Sequence, residues 1–311
     1  MRMRLGRMLL YWLALFCAAS LPASSQTGSC VTAPAQGATM DTVARCMFFS
    51  PALQRDMPYQ VVLPTRYATD GASYPVLYLL HGWQGDETNW IQLTQLVSLV
   101  SRYPLIVVLP RAENSWYVNS ATVAQNRFAD FIANDLIAEV EHRFRVLPAP
   151  GGRAIAGISM GGYGAMLTAL KHPGTFAFIG SISGAFDGPS GIERVMPQLK
   201  PSTDAAFGAI DSRTRRENSI DPLLAQADPS VTPYLFLECG AADPLLESNR
   251  RVVHALSQRG MAYEYHELPG AHTWSFWNQS LPGLLEGLAA RLHLVQASSA
   301  STAPGGRQMP S

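Results

Sequence analysis

The sequence predicts an α/β fold in which helices cover both faces of a mostly parallel central sheet. Short apolar runs alternate along most of the chain with longer segments whose apolar residues recur at helical spacing, and this alternation is typical of parallel βα units. Most of the short runs contain few polar residues, as expected for strands buried on both faces. The chain has 311 residues, of which 47% are hydrophobic and 15% charged, so it is long enough to bury a sizeable core.

The strands are predicted in order along the chain. Residues 46–49 and 59–63, with turn-like residues between them, indicate an antiparallel start to the sheet. A last run at 263–268 mixes apolar with charged residues, which predicts a strand at the edge of the sheet. Between these ends, apolar runs predict buried strands at 76–80, 105–109, 154–158, 178–182 and 234–237.

Helical spacing of apolar residues predicts helices within 128–140 and 245–256. The final helix is predicted to have Ser280 as its N-cap and Pro282 in its first turn. The segment 184–231 is less regular and contains several prolines. It is interpreted either as a small cap inserted near the site or as a solvated surface excursion.

The first 25 residues have the pattern of a secretory signal peptide. Three arginines precede an apolar run over 8–21, and Pro22 ends that run before three small residues. The run is shorter than the roughly 20 residues that span a bilayer. Cleavage after Ser25 is therefore predicted, with a secreted or periplasmic location and no stable membrane insertion afterwards.

After the predicted leader, the chain is predicted to consist of three parts. Residues 26–44 form an N-terminal segment, and 45–295 form the folded domain that carries the site. Residues 296–311, rich in Ser, Ala, Pro and Gly, are predicted to be a disordered tail.

Export makes a disulfide chemically permissible. Cleavage of the leader would remove Cys17 and leave three cysteines in the mature chain. Cys30 and Cys46 flank a polar stretch and are candidates for a disulfide that ties down the N-terminus, whereas Cys239 ends an apolar run and is interpreted as a buried free thiol. The sequence alone leaves the pairing open.

The balance of positive and negative residues bears on which binding partners are expected. Lys plus Arg and Asp plus Glu both total 23, so the formal net charge is zero. No long basic run follows the first residues, which argues against nucleic acid and anionic membrane surfaces as partners. No clustered spacing of Cys and His indicates a metal site, and the sequence leaves the oligomeric state open.

The segment from Gly157 to Gly161 carries the clearest chemical pattern, GxSxG. The pattern alone is weak, and a glycine-rich packing turn is the alternative. Here a predicted strand leads into it and helix-forming residues follow, which is the strand–turn–helix arrangement of a nucleophile elbow in the α/β-hydrolase fold. Ser159 is therefore the candidate nucleophile. The backbone N–H of Met160, at the start of the helix, is a candidate oxyanion donor.

A serine nucleophile needs a histidine that takes its proton and a carboxylate that holds the histidine. In this fold the acid and then the histidine follow the serine along the chain. Of the seven histidines, His272 alone lies in a turn beyond the last predicted strand, so it is the candidate base. Asp243, in the loop after strand 234–237, is the favoured acid, and Glu238 at the strand end is its nearest rival.

The loop after the early central strand is expected to supply the second oxyanion donor. That loop begins with His81, Gly82 and Trp83. Gly82 permits a close approach of the backbone, which makes the N–H of Trp83 the candidate donor, and His81 is interpreted as structural. An ordinary glycine turn is the alternative.

Five segments in this order resemble the esterase D or "putative esterase" family: YPVLYLLHGWQGDETNW, NSWYVNS, GISMGGYGA, LECGAADPLLESNR and GAHTWSFW. The likeness covers about residues 45–293. The family includes S-formylglutathione hydrolases, tributyrin-type esterases, feruloyl and acetylxylan esterases, and mycolyltransferases. The resemblance implies Ser159 as nucleophile, Asp243 as acid and His272 as base, with backbone donors at Trp83 and Met160. It also implies Trp116 and Tyr117 as pocket residues, with plain hydrophobic packing as the alternative.

The resemblance further implies acyl transfer through an acyl-enzyme without a metal or organic cofactor. The expected function is that of an exported serine carboxylesterase acting on small, aryl or carbohydrate carboxylic esters. Because glutathione thioesters are cytosolic, export argues against S-formylglutathione hydrolase activity. Transfer of the acyl group to another alcohol, as in mycolyltransferases, and an inactive hydrolase-fold binding protein are the alternatives.

Overall fold

A nine-stranded mixed sheet forms the centre of the fold. The computed structural model describes residues 28–33 and 43–294, so the predicted leader and tail lie outside the described residues. The strands are β1 (Ser29–Ala33), β2 (Val43–Ser50), β3 (Arg55–Val62), β4 (Val76–Leu80), β5 (Ile106–Pro110), β6 (Arg153–Ile158), β7 (Phe178–Ile182), β8 (Tyr234–Gly240) and β9 (Tyr263–Leu268).

The sheet order is β1-β2-β3-β5-β4-β6-β7-β8-β9. Strands β1, β2, β3 and β5 pair antiparallel along one side. From β5 to β9 every neighbouring pair is parallel. The predicted mostly parallel sheet, with an antiparallel start and the 263–268 strand at its edge, is confirmed.

Helices follow most of the strands. They are α1 (Tyr67–Asp70), α2 (Asn89–Leu93), α3 (Leu96–Val100), α4 (Phe128–Asp130), α5 (Leu136–Arg143), α6 (Met160–Lys171), α7 (Gly188–Val195), α8 (Lys200–Phe207), α9 (Arg213–Glu217), α10 (Ile220–Gln226), α11 (Leu246–Gln258) and α12 (Trp274–Arg291). One π-helical turn (Phe131–Asp135) joins α4 to α5, and short 3₁₀ turns occur at Pro150–Gly152 and Pro197–Leu199. Among the helices within 28–33 and 43–294, none is long and apolar enough to cross a membrane.

The side chains of each strand alternate between the two faces of the sheet, so the core has two layers. In β4 all five residues are buried, with Tyr78 in the layer that contains α5 and α6, and Leu77 in the layer that contains α3 and α12. Since successive side chains of a strand point to opposite faces, both faces of the sheet are covered. This is why the central strands read as continuous apolar runs.

Strand β1, which the sequence patterns did not predict, adds an outer edge to the antiparallel side. Its residue Cys30 lies opposite Cys46 of β2 in the register, and the two cysteines are joined by a disulfide. Cys239 is a buried free cysteine. The disulfide therefore ties the N-terminal strand to the body of the sheet.

The last helix begins earlier than predicted. Thr273 is its N-cap, and its side chain accepts a hydrogen bond from the backbone N–H of Phe276. Ser280 lies inside the helix and donates its hydroxyl to the carbonyl of Phe276 at 3.0 Å, so its prediction as the N-cap is wrong. The reason is tertiary: Phe276 and Trp277 are buried in the core, and their packing favours helix upstream of the leucine-rich part.

Candidate active site

Ser159 occupies the sharp turn between β6 and α6. Its backbone has φ 53° and ψ −117°, a conformation that costs a non-glycine residue on the order of 1–3 kcal/mol and is typical of functional sites. Its N–H donates to the carbonyl of Ile182 at 3.0 Å, and its own carbonyl accepts from the N–H groups of Tyr163 and Ala185 at 3.0 and 3.1 Å. These bonds to β7 and α6 hold the strained turn in place.

Gly157 and Gly161 are required by the closeness of the chain on either side of this turn. A Cβ at Gly157 would lie 2.5 Å from the carbonyl carbon of Gly161. A Cβ at Gly161 would lie 2.6 Å from the carbonyl oxygens of Leu80 and His81. Any larger residue at these positions would push the serine away from the loop that follows β4.

His272 lies in the loop between β9 and α12, where its ring bridges the serine and a carboxylate. Its Nε2 is 2.9 Å from Ser159 Oγ, and its Nδ1 is 2.9 Å from Asp243 Oδ2 and 3.1 Å from Asp243 Oδ1. The Trp277 ring packs edge-on against the imidazole with centroids 5.0 Å apart. The structure thus brings the three predicted residues into one hydrogen-bonded chain.

Asp243 lies in the loop after β8, and its side chain is fully buried. The N–H of Leu245 donates to Asp243 Oδ1 at 2.9 Å. Burial by itself would raise the pKa of this carboxyl, but the hydrogen bond and charge of His272, together with hydrogen bonds from Ser183 and Leu245, lower the pKa below its usual value. Asp243 is therefore held as a carboxylate next to the imidazole.

Glu238, the rival acid, lies at the end of β8 but faces other groups. Burial raises its pKa, and a hydrogen bond from Ser280 and the charge of His266 oppose that rise. Its Oε1 is buried and has no hydrogen-bond partner. Its side chain belongs to the packing between β8 and α12, while Asp243 is the carboxylate that contacts His272.

The loop after β4 is held against the serine. A Cβ on Gly82 would be in van der Waals contact with Ser159, 3.5 Å from its Cβ, and Trp83 follows directly. His81 is buried, with Nδ1 2.7 Å from the carbonyl of Gly82, and Nε2 accepting from the N–H of Ala112 at 2.9 Å. Burial lowers the pKa of His81 to about 4, so its ring is neutral near pH 7. Its two hydrogen bonds connect the loop after β4 to the residues that follow β5.

Met160 is the first residue of α6 and is fully buried. The N–H groups in the first turn of a helix have no intrahelical partner and lie at the positive end of the helix dipole. Met160 directly follows Ser159 at this helix start, and Gly82, which precedes Trp83, lies against Ser159, so the N–H groups of Met160 and Trp83 stay candidate oxyanion donors.

Trp116 and Tyr117 are buried, and both have positive φ, 55° and 56°. The Tyr117 hydroxyl donates to the carbonyl of His81 at 2.8 Å. The Trp116 indole N–H donates to Ser202 Oγ at 3.1 Å. Neither side chain lines the cavity of about 380 Å³ beside Ser159. Through these bonds Tyr117 contacts the His81 loop and Trp116 contacts the 184–231 segment.

A cavity of about 380 Å³ opens beside the serine and the histidine. Most of its walls come from three of the segments that carry the family resemblance, although the sequence assigned a role at the site only to Gly82, Trp83, Ser159 and His272 among them. Three come from the 184–231 segment, which therefore borders the site. The lining residues are Gly82, Trp83, Gln84, Gly85, Asn89, Ile158, Ser159, Met196, Gln198, Leu199, His272, Thr273, Trp274 and Trp277.

A nucleophile elbow at the end of a central parallel strand, with helices on both faces of the sheet, defines the class of protein: an α/β hydrolase. A family model described as "Putative esterase" matches residues 50–288. The chain belongs to this family and is an esterase-type hydrolase.

Individual relatives agree with this membership. An acetyl esterase of Caldicellulosiruptor saccharolyticus is 29% identical over 256 residues, covering 77% of this chain and 95% of the relative. The diacylglycerol acyltransferase/mycolyltransferase Ag85A of Mycobacterium leprae is 26% identical over 268 residues, covering 75% of this chain and 78% of the relative. The fold is shared with the fluorophosphonate-binding serine hydrolase FphF of Staphylococcus aureus, with a TM-score of 0.71 at 24% identity over 84% of this chain and 98% of the other.

Proposed function

We propose that the chain is a serine carboxylesterase in which Ser159 is the nucleophile, His272 the general base and Asp243 the acid that orients the histidine. The observation that carries this proposal is the continuous chain of contacts: 2.9 Å from Ser159 Oγ to His272 Nε2 and 2.9 Å from His272 Nδ1 to Asp243 Oδ2. A serine hydroxyl becomes a useful nucleophile near neutral pH when an oriented base removes its proton.

In the proposed reaction, Ser159 Oγ attacks the ester carbonyl while its proton moves to His272 Nε2. The resulting imidazolium donates from Nδ1 to the carboxylate of Asp243, and backbone N–H groups of Trp83 and Met160 bind the oxyanion. Collapse of the tetrahedral intermediate breaks the bond to the alcohol oxygen, which takes the proton from His272 Nε2. Water then attacks the acyl-enzyme by the same route, releasing the carboxylic acid and restoring the serine.

The proposed substrates are small, aryl or carbohydrate carboxylic esters. The cavity of about 380 Å³ has apolar walls that include Trp274, Trp277 and Leu199, and polar groups at Gln84 and Gln198. Pockets of this size accommodate ligands well beyond an acetyl group. The relative named acetyl esterase supports ester hydrolysis as the reaction.

Acyl transfer to an alcohol is a second candidate because one relative is named a mycolyltransferase. The same acyl-enzyme would then meet a hydroxyl group of an acceptor in place of water. Product ratios measured with and without an alcohol acceptor separate the two reactions: transfer predicts a new ester at the expense of free acid.

We further propose that the protein is exported. The disulfide between Cys30 and Cys46 supports this, because disulfides persist in oxidising compartments and are rare in the cytosol. The signal-like pattern of residues 1–25 predicts a mature N-terminus at Gln26. N-terminal sequencing of the protein from the periplasm and medium checks this, and an intact Met1 would contradict it.

Labelling with a fluorophosphonate tests the enzyme proposal. The expected result is one adduct on the peptide that contains Ser159, found by mass spectrometry, with hydrolysis of short p-nitrophenyl esters lost on labelling. The variant Ser159→Ala should lose both labelling and turnover. The control Ser101→Ala, which changes an exposed hydroxyl, should retain both. Absence of an adduct in the folded wild type would contradict the enzyme proposal and favour a binding protein with an inactive hydrolase fold.

A further inference from the structure

The 184–231 segment contributes part of the cavity wall through one short turn. Met196, Gln198 and Leu199 border the cavity and lie at the 3₁₀ turn between α7 and α8. The N–H of Met196 donates to the carbonyl of Ile192 at 2.7 Å, the N–H of Leu199 donates to the carbonyl of Met196 at 3.0 Å, and the carbonyl of Leu199 accepts from Ser202 Oγ at 2.9 Å. Its position therefore depends on the two helices that flank it.

Arg215 of α9 joins those two helices. One guanidinium nitrogen donates to Glu193 Oε1 of α7 at 2.8 Å, and the other donates to Asp204 Oδ1 of α8 at 2.8 Å. Its Nε donates to the carbonyl of Gly208 at 2.9 Å. The arginine side chain is only 5% exposed, and the Thr203 hydroxyl of α8 also donates to Glu193 Oε1, at 2.5 Å.

The chemistry of this contact favours a single arrangement. Charge-assisted hydrogen bonds of a guanidinium have defined directions, and a buried charge that loses its partner is strongly unfavourable. Glu193 is 13% exposed in its side chain and cannot easily turn to solvent. Movement of α7 relative to α8 would break one of these bonds, so Arg215 limits how far the turn between them can move.

The segment is also anchored to the body that carries the nucleophile. The hydroxyl of Tyr163, in α6, donates to the carbonyl of Asn218 at 2.6 Å, and Trp116 donates to Ser202 Oγ at 3.1 Å. Asn218 directly follows α9, and Ser202 lies in α8. The helix that carries Arg215 is therefore attached to α6, the helix that begins after Ser159.

We propose that Arg215 is a positioning residue that sets which acyl groups the cavity accepts, by holding the 196–199 turn at the cavity wall. Met196 and Leu199 are the apolar side chains that this turn supplies, and an apolar acyl chain is the part of an ester that they would contact. The proposal rests on the esterase function proposed above. Arg215 itself touches no reacting atom.

The experiment measures kcat and KM for p-nitrophenyl acetate and p-nitrophenyl hexanoate in wild type and Arg215→Met. We expect the hexanoate-to-acetate ratio of kcat/KM to change by about tenfold, the scale of one or two methylene contacts, with most of the change in the KM for hexanoate. The rate of fluorophosphonate labelling and the kcat for acetate should stay within about threefold of wild type. The matched control is Arg213→Met, because Arg213 lies in the same helix but its ion pair with Glu217 is exposed.

A second variant keeps the test decisive if Arg215→Met does not fold. Asp204→Asn removes one of the two carboxylates at a partly exposed position and should change the ratio in the same direction by a smaller factor. The proposal is overturned if the ratio is unchanged in the folded variants, if both esters lose activity by the same factor, or if Arg213→Met changes the ratio equally. Wild type that neither labels nor hydrolyses either ester would instead show that the esterase proposal has failed.

Discussion

The main chain at Gly161 touches the carbonyl oxygen of His81: a Cβ on that glycine would lie 2.6 Å from the oxygen. The nucleophile elbow and the loop after β4 are therefore in direct backbone contact. The ring of His81 extends this contact by bonding to the carbonyl of Gly82 and the N–H of Ala112. Ser159 and the candidate donor at Trp83 are thus held near each other by these contacts.

Gly161→Ala is expected to damage both stability and activity. Because the added methyl would overlap the carbonyl oxygens of Leu80 and His81, the free energy of unfolding should fall by about 1–3 kcal/mol, as for other overpacked sites. Urea unfolding and ester hydrolysis measure the two effects. Gly151→Ala is the matched control, since no atom lies within 4 Å of its added Cβ. Wild-type activity in Gly161→Ala would show that the close contact is not needed for catalysis.

Asp243→Asn separates the two candidate acids. An amide cannot hold the imidazole in the required tautomer or stabilise the imidazolium, so kcat should fall by about four orders of magnitude. Glu238→Gln should change kcat by less than about tenfold, because Glu238 contacts Ser280 and has no bond to His272. Steady-state hydrolysis of p-nitrophenyl acetate measures both variants. The reverse pattern would assign the acid to Glu238.

His81 predicts a pH dependence of stability. Its pKa is lowered from 6.5 to about 4 by burial, so between these values the unfolded chain binds more protons than the folded one. The free energy of unfolding therefore decreases as the pH falls through this window, with a slope that approaches about 1.4 kcal/mol per pH unit. Urea unfolding of wild type and His81→Gln between pH 7 and pH 4 isolates this slope by difference. Parallel curves for the two proteins would contradict the prediction.

The thiol count tests the disulfide and the leader together. Exported, unfolded and unreduced protein should expose one reactive thiol, that of Cys239, because Cys30 and Cys46 are bonded and Cys17 is removed. Retention of residues 1–25 would give two thiols, and absence of the disulfide would add two more. Cys30→Ser should lower the free energy of unfolding by about 3 kcal/mol, as expected for a loop of this length, with little change in kcat.

Much of the fold follows from local patterns. The strands of the parallel part were predictable because burial on both faces makes each one a short apolar run. The elbow was predictable because a serine in a strained turn requires small neighbours at Gly157 and Gly161. Strand β1 was not predicted, since an exposed edge strand next to the disulfide lacks the apolar signature, and the start of α12 was misplaced because the packing of Phe276 and Trp277 decides it.

The sequence by itself determined the class of fold and the order of the candidate residues Ser159, Asp243 and His272, because apolar runs and the glycines around a tight turn are local patterns in the chain. Only the tertiary structure decided which carboxylate reaches the histidine, that Trp116 and Tyr117 support loops, and that Met196 and Leu199 border the cavity. These outcomes depend on contacts between separate segments of the chain, such as that of His272 with Asp243, 29 residues away, and that of Trp116 with Ser202, 86 residues away. No short segment carries a pattern for such contacts.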